Sequence, residues 1–349
     1  MSENKSGRVS VIIPARNEEA NIARAVRTAA GQQGVREILV VDDQSDDRTG
    51  EILESLKTEI ACLRTFRIES LPAGWLGKTH ALATAARDAS GEWLLFTDAD
   101  TEHLPGSLAT LLGIAEREHA DLLSVSPGQQ TVTWWEKSVI PLVYVKLAKL
   151  YRFEEVSDAR SPAAAANGQY LLIRRETYER VGGHYAVREA ILEDVELARR
   201  VKAGGGRLVF LPGAAWVRTR MYRTFAEMWR GWTKNLYLLY GQGLARMLGD
   251  LAIFWLVDLL PALAFLVLGL WFVAGRGSAA TLLLGVGCFL LVLSRHWSYR
   301  QALRRLGFDA RQARYQLPGA LLLSLLLVNS AVAHRVLRRV QWKGRVYAS

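Results

Sequence analysis

Two aspartates one residue apart, Asp98 and Asp100, follow the apolar run Trp93–Thr97. Just beyond a strand, two such carboxylates can turn toward one ligand. Hard divalent cations such as Mg²⁺ take oxygen ligands of this kind, usually one or two carboxylates completed by substrate phosphates. An isolated Asp-x-Asp is also an ordinary solvated turn, and its place after an apolar strand favours the ligand reading. Glu193 and Asp194 open a second helical segment, Val195–Lys202, after Gly182-Gly183-His184. Carboxylates at a helix start are favourable partners for its dipole, which accounts for one of the pair. The other can serve as a general base if the fold brings it to the cation. Asp42 and Asp43 end the run Glu37–Val41, where a carboxylate can accept hydrogen bonds from ribose hydroxyls or a base N–H. Asp46 and Asp47 read as caps of the next helix. Lys78, preceded by Gly74-Trp75-Leu76-Gly77, can bring positive charge to a phosphate, and Arg16 and Glu18 follow the first apolar run on the same edge. His80 and His184 read as structural or acceptor-side, because a diphosphate-bound Mg²⁺ prefers oxygen.

These residues need a scaffold, and the chain supplies one. Val9–Pro14 is a short apolar run typical of a buried parallel strand. Asn17 is expected to cap a helix bearing Ile22, Ala25, Val26 and Ala29, and Glu37–Val41 is expected to form a second strand. A helix through Ile52 and Leu56, a strand over Cys62–Ile68, a helix over Lys78–Ala89 and a strand over Trp93–Thr97 follow. Strand–helix alternation with polar residues at strand C-terminal ends predicts a parallel sheet with its ligand site along that edge. Ala163–Ala166 reads as a mobile loop. Neither a Walker loop nor a Gly-x-Gly-x-x-Gly follows the first strand, which removes ATPase and dinucleotide-binding readings.

Charge divides the chain. The net charge is +10, yet from Arg218 onward there are 18 basic and 4 acidic residues, so residues 1–217 are mildly acidic. The basic residues alternate with three apolar stretches, about 251–274, 279–293 and 317–333. The first meets the roughly 20-residue length of a bilayer span, and the other two are marginal. Arg295, Arg300, Arg304, Arg305, Arg311 and Arg314 separate the second and third, and Arg335, Arg338, Arg339, Lys343 and Arg345 follow the third. Juxtamembrane Lys and Arg of this kind mark cytoplasmic segments and attract anionic lipids, so the excess reads as a membrane address and nucleic acid is excluded as a partner. The polar start, Met1–Arg8, carries no signal peptide, and the front part is expected in the cytoplasm with the chain integral to the cytoplasmic membrane. Three full spans place the Arg-rich tail outside; two spans plus a re-entrant or interfacial segment keep it inside, as the positive-inside rule favours. Val139–Tyr151 and Phe225–Tyr240 read as interfacial helices, or alternatively as ordinary amphipathic helices. Cys62 and Cys288 are too few for a disulfide framework or a cysteine-built metal site.

Pro14-Ala15-Arg16-Asn17-Glu18, Val41-Asp42-Asp43-Gln44-Ser45-Asp46-Asp47, Gly77-Lys78, Asp98-Ala99-Asp100 and Glu193-Asp194 together resemble family 2 glycosyltransferases, in order and spacing. The likeness is closest to membrane-bound lipid glycosyltransferases of the hopanoid-associated, carotenoid and ceramide glucosyltransferase types. That nearer likeness is carried by Ala166-Asn167-Gly168-Gln169-Tyr170, Gly182-Gly183-His184, Met228-Trp229-Arg230-Gly231-Trp232 and Trp342-Lys343-Gly344-Arg345-Val346-Tyr347. The resemblance implies an α/β GT-A domain with a mixed, mostly parallel sheet over residues 1–224, followed by interfacial and transmembrane helices over 225–349. It implies inverting transfer, to a lipid or polyprenyl-type acceptor, of a hexose from a nucleotide-sugar donor such as UDP-glucose. Asp43 would contact the nucleotide with Pro14, Arg16, Glu18, Lys78 and Asp98 around it. Asp98 and Asp100 would hold Mg²⁺ or Mn²⁺ on the diphosphate, with Asp100 the more direct ligand. Asp194, beside Glu193, would take the acceptor proton.

One departure bears on the acceptor side. Related membrane synthases place Arg and Trp together in a Gln/Arg-x-x-Arg-Trp motif, where this chain has Trp229-Arg230-Gly231-Trp232. Arg230 and Trp232 either close over the diphosphate and line the acceptor site or anchor the helix at the interface. The departure argues against a processive polysaccharide synthase, the alternative enzyme reading; the non-enzyme alternative is an inactive nucleotide-sugar-binding membrane scaffold.

Overall fold

The computed structural model describes residues 7–241 and 243–348, so the polar start up to residue 6 lies outside the described residues. The chain forms two units. The first ends at Gln130, resumes at Tyr151 and runs to Met221; the second comprises Thr131–Leu150 and the chain from Tyr222. Residues 131–150, expected within the catalytic domain, therefore group with the second unit, and the second boundary falls at Tyr222 rather than residue 225.

The first unit is built on strands β1 (Val9–Ala15), β2 (Val35–Asp42), β3 (Leu63–Arg67) and β4 (Trp93–Phe96). A seven-stranded sheet runs in the order β3, β2, β1, β4, Leu171–Arg174, Leu122–Ser126 and Leu208–Pro212. Every pairing is parallel except the two made by Leu171–Arg174. Side chains alternate across a strand, so β1 feeds two cores. Val9, Val11 and Ile13 pack with Ile22, Val26, Leu53 and Leu108 on one face, and Ile12 packs with Leu82, Ala85, Leu197 and Ala198 on the other. Burial on both faces explains the near-continuous apolar runs. The chain leaves β1 toward β2 and β3, then returns to place β4 on the other side of β1. Open α/β sheets bind ligands at such a reversal, outside the strand carboxyl ends.

Two local expectations give way. Asn17 takes a left-handed backbone (φ 52°) and the helix starts only at Ile22, with Asn21 at its cap. Asn17 instead accepts the Asp46 N–H at 2.9 Å, tying the loops after β1 and β2 together. Ala164, Ala165 and Ala166 are buried in the second core, because small side chains let this irregular segment pack closely rather than stand off as a loose loop.

The second unit is helical, with a C-terminal hairpin of Arg339–Trp342 and Arg345–Ala348. Thr224 and Glu227 form a reciprocal capping box that starts the helix Phe225–Leu239. Among the described residues three helices are long and apolar enough to cross a membrane: Leu244–Arg276, Ala279–Arg305 and Ala310–Arg335. The second and third are longer than their apolar stretches because arginine-bearing ends continue the helix. The first two expose large apolar side chains along their length, including Leu263, Leu270, Leu283 and Leu290. The third is more than half buried in its most apolar window. It is covered by Trp134–Leu150 and Phe225–Leu239, the two segments read as interfacial. The contacts include Asn329 to Thr233 at 2.7 Å and Ser330 to the Thr233 carbonyl at 2.6 Å. In the first helix the backbone widens over Phe254–Leu259, just ahead of Pro261, which has no N–H to continue the ladder. That widened turn holds Asp258, 3% exposed.

Candidate active site

Asp98 and Asp100 lie in a tight turn leaving β4. The Thr97 N–H donates to the Ile12 carbonyl at 3.1 Å and the Thr101 N–H to the Asp98 carbonyl at 3.1 Å. The hydroxyls of Thr97 and Thr101 bracket the turn, donating to the Gln169 carbonyl at 2.8 and 3.4 Å. The Gln169 amide reaches Thr219, and Gln129 donates to it, in a second small sheet that also includes Thr101–His103. The carboxylate loop is thus fixed from below by a buried polar network.

Lys78, in the first turn of the helix Gly77–Asp88, donates to Asp98 at 2.7 Å and to Glu193 at 2.8 Å. Glu193 and Asp194 begin the helix Glu193–Ala203. Each Asp194 oxygen accepts a main-chain N–H: Oδ2 from Gly168 at 2.7 Å and Oδ1 from Val195 at 2.8 Å. A Cβ at Gly168 would lie 2.9 Å from the Lys78 ammonium and 3.4 Å from Asp194 Oδ2, so any side chain there would push on the tip of Lys78.

The electrostatics are unbalanced. Burial and the neighbouring Glu193 charge push the Asp194 carboxyl up to about 6, against the pull of Lys78 and the two N–H donors. Burial pulls Lys78 down, yet Asp98, Glu193 and Asp194 outweigh it and hold the ammonium well above its usual range. His184 is buried, meets Tyr178 Oη at 3.0 Å, and is driven down to about 3 by burial and by Lys78. It stays neutral and structural. Gly183, at φ 48°, is required beneath it, since a Cβ there would overlap the Tyr178 ring.

At the ends of β1 and β2 the loops interlock. Arg16 donates to the carbonyls of Asp43 and Gln44 at 2.6 and 3.2 Å. Asp42 accepts the Ser45 N–H at 2.9 Å and pairs with Arg67, so it shapes the turn. Asp43 is buried at the strand end, Pro14 pairs in register with Val41, and Glu18 accepts the Asn21 amide at 2.9 Å. Neither Asp46 nor Asp47 is the cap of the next helix, which is Arg48: Asp47 precedes it and accepts the Thr49 N–H at 3.0 Å, and the Asp46 N–H goes to Asn17.

Residues 10–182 match glycosyl transferase family 2. They form a family 2 glycosyltransferase domain. The chain is 27% identical over 231 residues to the 4,4'-diaponeurosporenoate glycosyltransferase of Staphylococcus aureus (strain USA300), covering 65% of this chain and 60% of that protein. It is 25% identical over 266 residues to the protein of the same description from Staphylococcus haemolyticus, covering 75% and 70%. Among solved structures it is similar to a mannosyltransferase from Pyrobaculum calidifontis in complex with GDP-Man and Mn²⁺. That similarity has a TM-score of 0.50 and 18% identity over 94% of this chain and 87% of that one. The fold is GT-A.

Within the first unit, Lys78, Asp98, Glu193 and Asp194 converge at one place, with Asp100 on the same turn as Asp98 and Glu193 and Asp194 beyond the matched residues. The donor type suits a hard cation, since Asp98 and Asp100 offer carboxylate oxygens, with Lys78 sharing Asp98. Among the described residues no three His, Cys, Asp or Glu side chains are arranged to hold a metal by themselves, and a cation on Asp98 and Asp100 would take its other ligands from substrate oxygens and water. Arg230 and Trp232 belong to the second unit. Arg230 is exposed, whereas Trp232 is 3% exposed with its ring against Tyr144 and Tyr222, so it fills that unit's core and lines no open acceptor surface. The sequence pointed to the carboxylates but gave Gly168, Thr97 and Gln169 no role. The Ala166–Tyr170 motif was the one available signal.

Proposed function

We propose that the chain is an inverting glycosyltransferase that moves a hexose from a UDP-sugar to a lipid acceptor at the cytoplasmic face of the membrane. The observation that carries this reading is the bridge made by Lys78, which joins Asp98 on the donor side to Glu193 beside the base Asp194. Asp43, with Pro14, Arg16 and Glu18 around it, receives the nucleotide at the ends of β1 and β2, and Lys78 and Asp98 face the diphosphate. Asp98 and Asp100 would hold Mg²⁺ or Mn²⁺, which when bound neutralises charge on the leaving diphosphate. Asp194 accepts the proton of the acceptor hydroxyl as its oxygen attacks the anomeric carbon from the face opposite the leaving group. Each Asp194 oxygen keeps a lone pair for that proton beyond its main-chain bond. A carboxyl poised near 6 is ionised at neutral pH yet basic enough to be useful.

The lipid acceptor is supported by the acceptor named in the relatives' description and by the three membrane-length helices. The chain spans 60% of the length of the S. aureus relative, so the whole relative's activity is a guide rather than a transfer. The first two helices cross the bilayer, and the third, covered by its own unit, keeps the basic hairpin on the cytoplasmic side. The test is mass spectrometry of lipids incubated with the full chain in nanodiscs, a panel of UDP- and GDP-sugars, and Mn²⁺ or EDTA. One hexose added to a lipid, lost with EDTA and in Asp194→Asn, is expected. Long polymer would instead indicate a processive synthase. No transfer with any donor despite nucleotide-sugar binding would indicate a scaffold.

A further inference from the structure

The second unit contains a cavity of about 320 Å³ lined by none of the candidate transfer-site residues. Arg246 and Asp250 lie near the start of the Leu244–Arg276 helix, Tyr299 near the end of Ala279–Arg305, and Gln316 at the start of Gln316–Arg335. The reversal at Gly277-Ser278 and the short link 306–315 bring these helix ends to one level. That is the level at which lipid headgroups meet a spanning bundle.

The charges lining the cavity do not balance. Lys146, Lys149, Arg246 and Arg295 face only Asp250 and Asp258. At the inner end Asp258 and Arg295 satisfy each other through bonds of 3.0 and 3.2 Å, and Gln316 adds a third at 3.0 Å. Nearer the helix ends, Asp250 serves both Lys146, at 3.4 Å, and the Tyr240 hydroxyl, at 3.0 Å. Lys149 and Arg246 make no ion pair among the described residues. Burial holds the Lys146 ammonium below the usual lysine range even though Asp250 pulls it upward. Tyr299 is a separate sign: it is 6% exposed, and its buried hydroxyl has no hydrogen-bond partner among the described residues. The buried, unpartnered Tyr299 hydroxyl and the half-buried Lys146 call for a group rich in acceptor oxygens, and the exposed Lys149 and Arg246 at the cavity edge suit its being an anion. Phe254, beneath Lys146 at 4.2 Å, adds an apolar wall of the kind an amphiphile needs.

We infer that this cavity binds the phosphate headgroup of an anionic membrane lipid through Lys149, Arg246 and Tyr299. The inference does not rest on glycosyl transfer; it requires only that the helical unit sit in a membrane. Native mass spectrometry of the full chain released from nanodiscs of phosphatidylcholine containing phosphatidylglycerol tests it. One phosphatidylglycerol should be retained in preference to phosphatidylcholine. Lys149→Ala with Arg246→Ala should weaken retention by at least about tenfold, since each cation near an anionic lipid contributes measurably. Tyr299→Phe, which preserves the packing, should weaken it severalfold and keeps the test open if the double variant does not fold. Inorganic phosphate at millimolar concentration should not displace the lipid. Equal retention of the two lipids would overturn the proposal. So would unchanged retention in folded variants, or displacement by inorganic phosphate, which would make this a free-anion site.

Discussion

Asp194 and Asp258 are both carboxylates set into packed protein, and their surroundings are opposite. Asp258 is met by both arms of Arg295 and by Gln316, so its charge is answered completely inside an apolar unit. Asp194 receives only two main-chain N–H groups, has Glu193 as its neighbour, and shares a single lysine with Glu193 and Asp98. Saturation fixes a structure, because removing one partner of a buried ion pair strands the other. Incomplete compensation raises a pKa and leaves lone pairs available for chemistry. The contrast fits the proposed reactive role of the first cluster and makes the second a brace.

The sharpest way to break that contrast is to exchange the two behaviours by mutation. Asp194→Asn should lower turnover by ~10²–10⁴-fold, the range for a lost general base, without lowering the unfolding temperature; full activity in the variant would remove Asp194 from the mechanism. Arg295→Ala should destabilise the protein by about 3–5 kcal/mol by stranding Asp258, while Arg295→Met with Asp258→Leu should recover most of the loss. Thermal unfolding in detergent measures both, and equal losses would mean the brace contributes more than mutual neutralisation.

Acidity probes the same difference. Folded Asp194 keeps its proton up to about 6, above the unfolded value, so ionising it costs stability as pH rises through that window. Asp194→Asn should abolish that decline, which is worth at most about 3 kcal/mol. Turnover in the parent should rise with pH around a midpoint near 6, and a flat profile from pH 5 to 8 would contradict the assignment. Lys78→Met should move this acidic limb upward, because the lysine charge favours the carboxylate. The smallest effect is reserved for the support beneath the site. Thr97→Val removes one hydroxyl donor to Gln169 and should cost about 1 kcal/mol, with Mn²⁺ binding weakened severalfold in calorimetry.

Much of this was legible from residue patterns, for physical reasons. Strands β1, β2 and β4 are buried on both faces and announce themselves as apolar runs, and polar residues just past them mark the ligand edge. Asp98 and Asp100 were readable because sequence neighbours share one turn. Gly168 was not, since its closeness to Lys78 and Asp194 is made by the antiparallel strand Leu171–Arg174, and no local pattern encodes that pairing. Asn17 misled because its type suits a cap, while its side chain is used across two loops. Trp232 misled in a similar way: an aromatic beside a basic residue suits a membrane interface, but the ring found two tyrosines in its own unit.

The main-chain hold on Asp194 carries an evolutionary consequence. Among substitutions at Gly168 and Val195 only proline removes the N–H donor, so the aim of the Asp194 carboxylate is protected from most mutations around it. Vulnerability is concentrated at the residue with the least chemistry of its own. A side chain at Gly168 would meet the Lys78 ammonium at 2.9 Å and shift the lysine tip, while Asp194 and Glu193, at 3.4 and 3.5 Å, would stay in ordinary contact, so a change at this one position would be felt first in the Lys78 bridge.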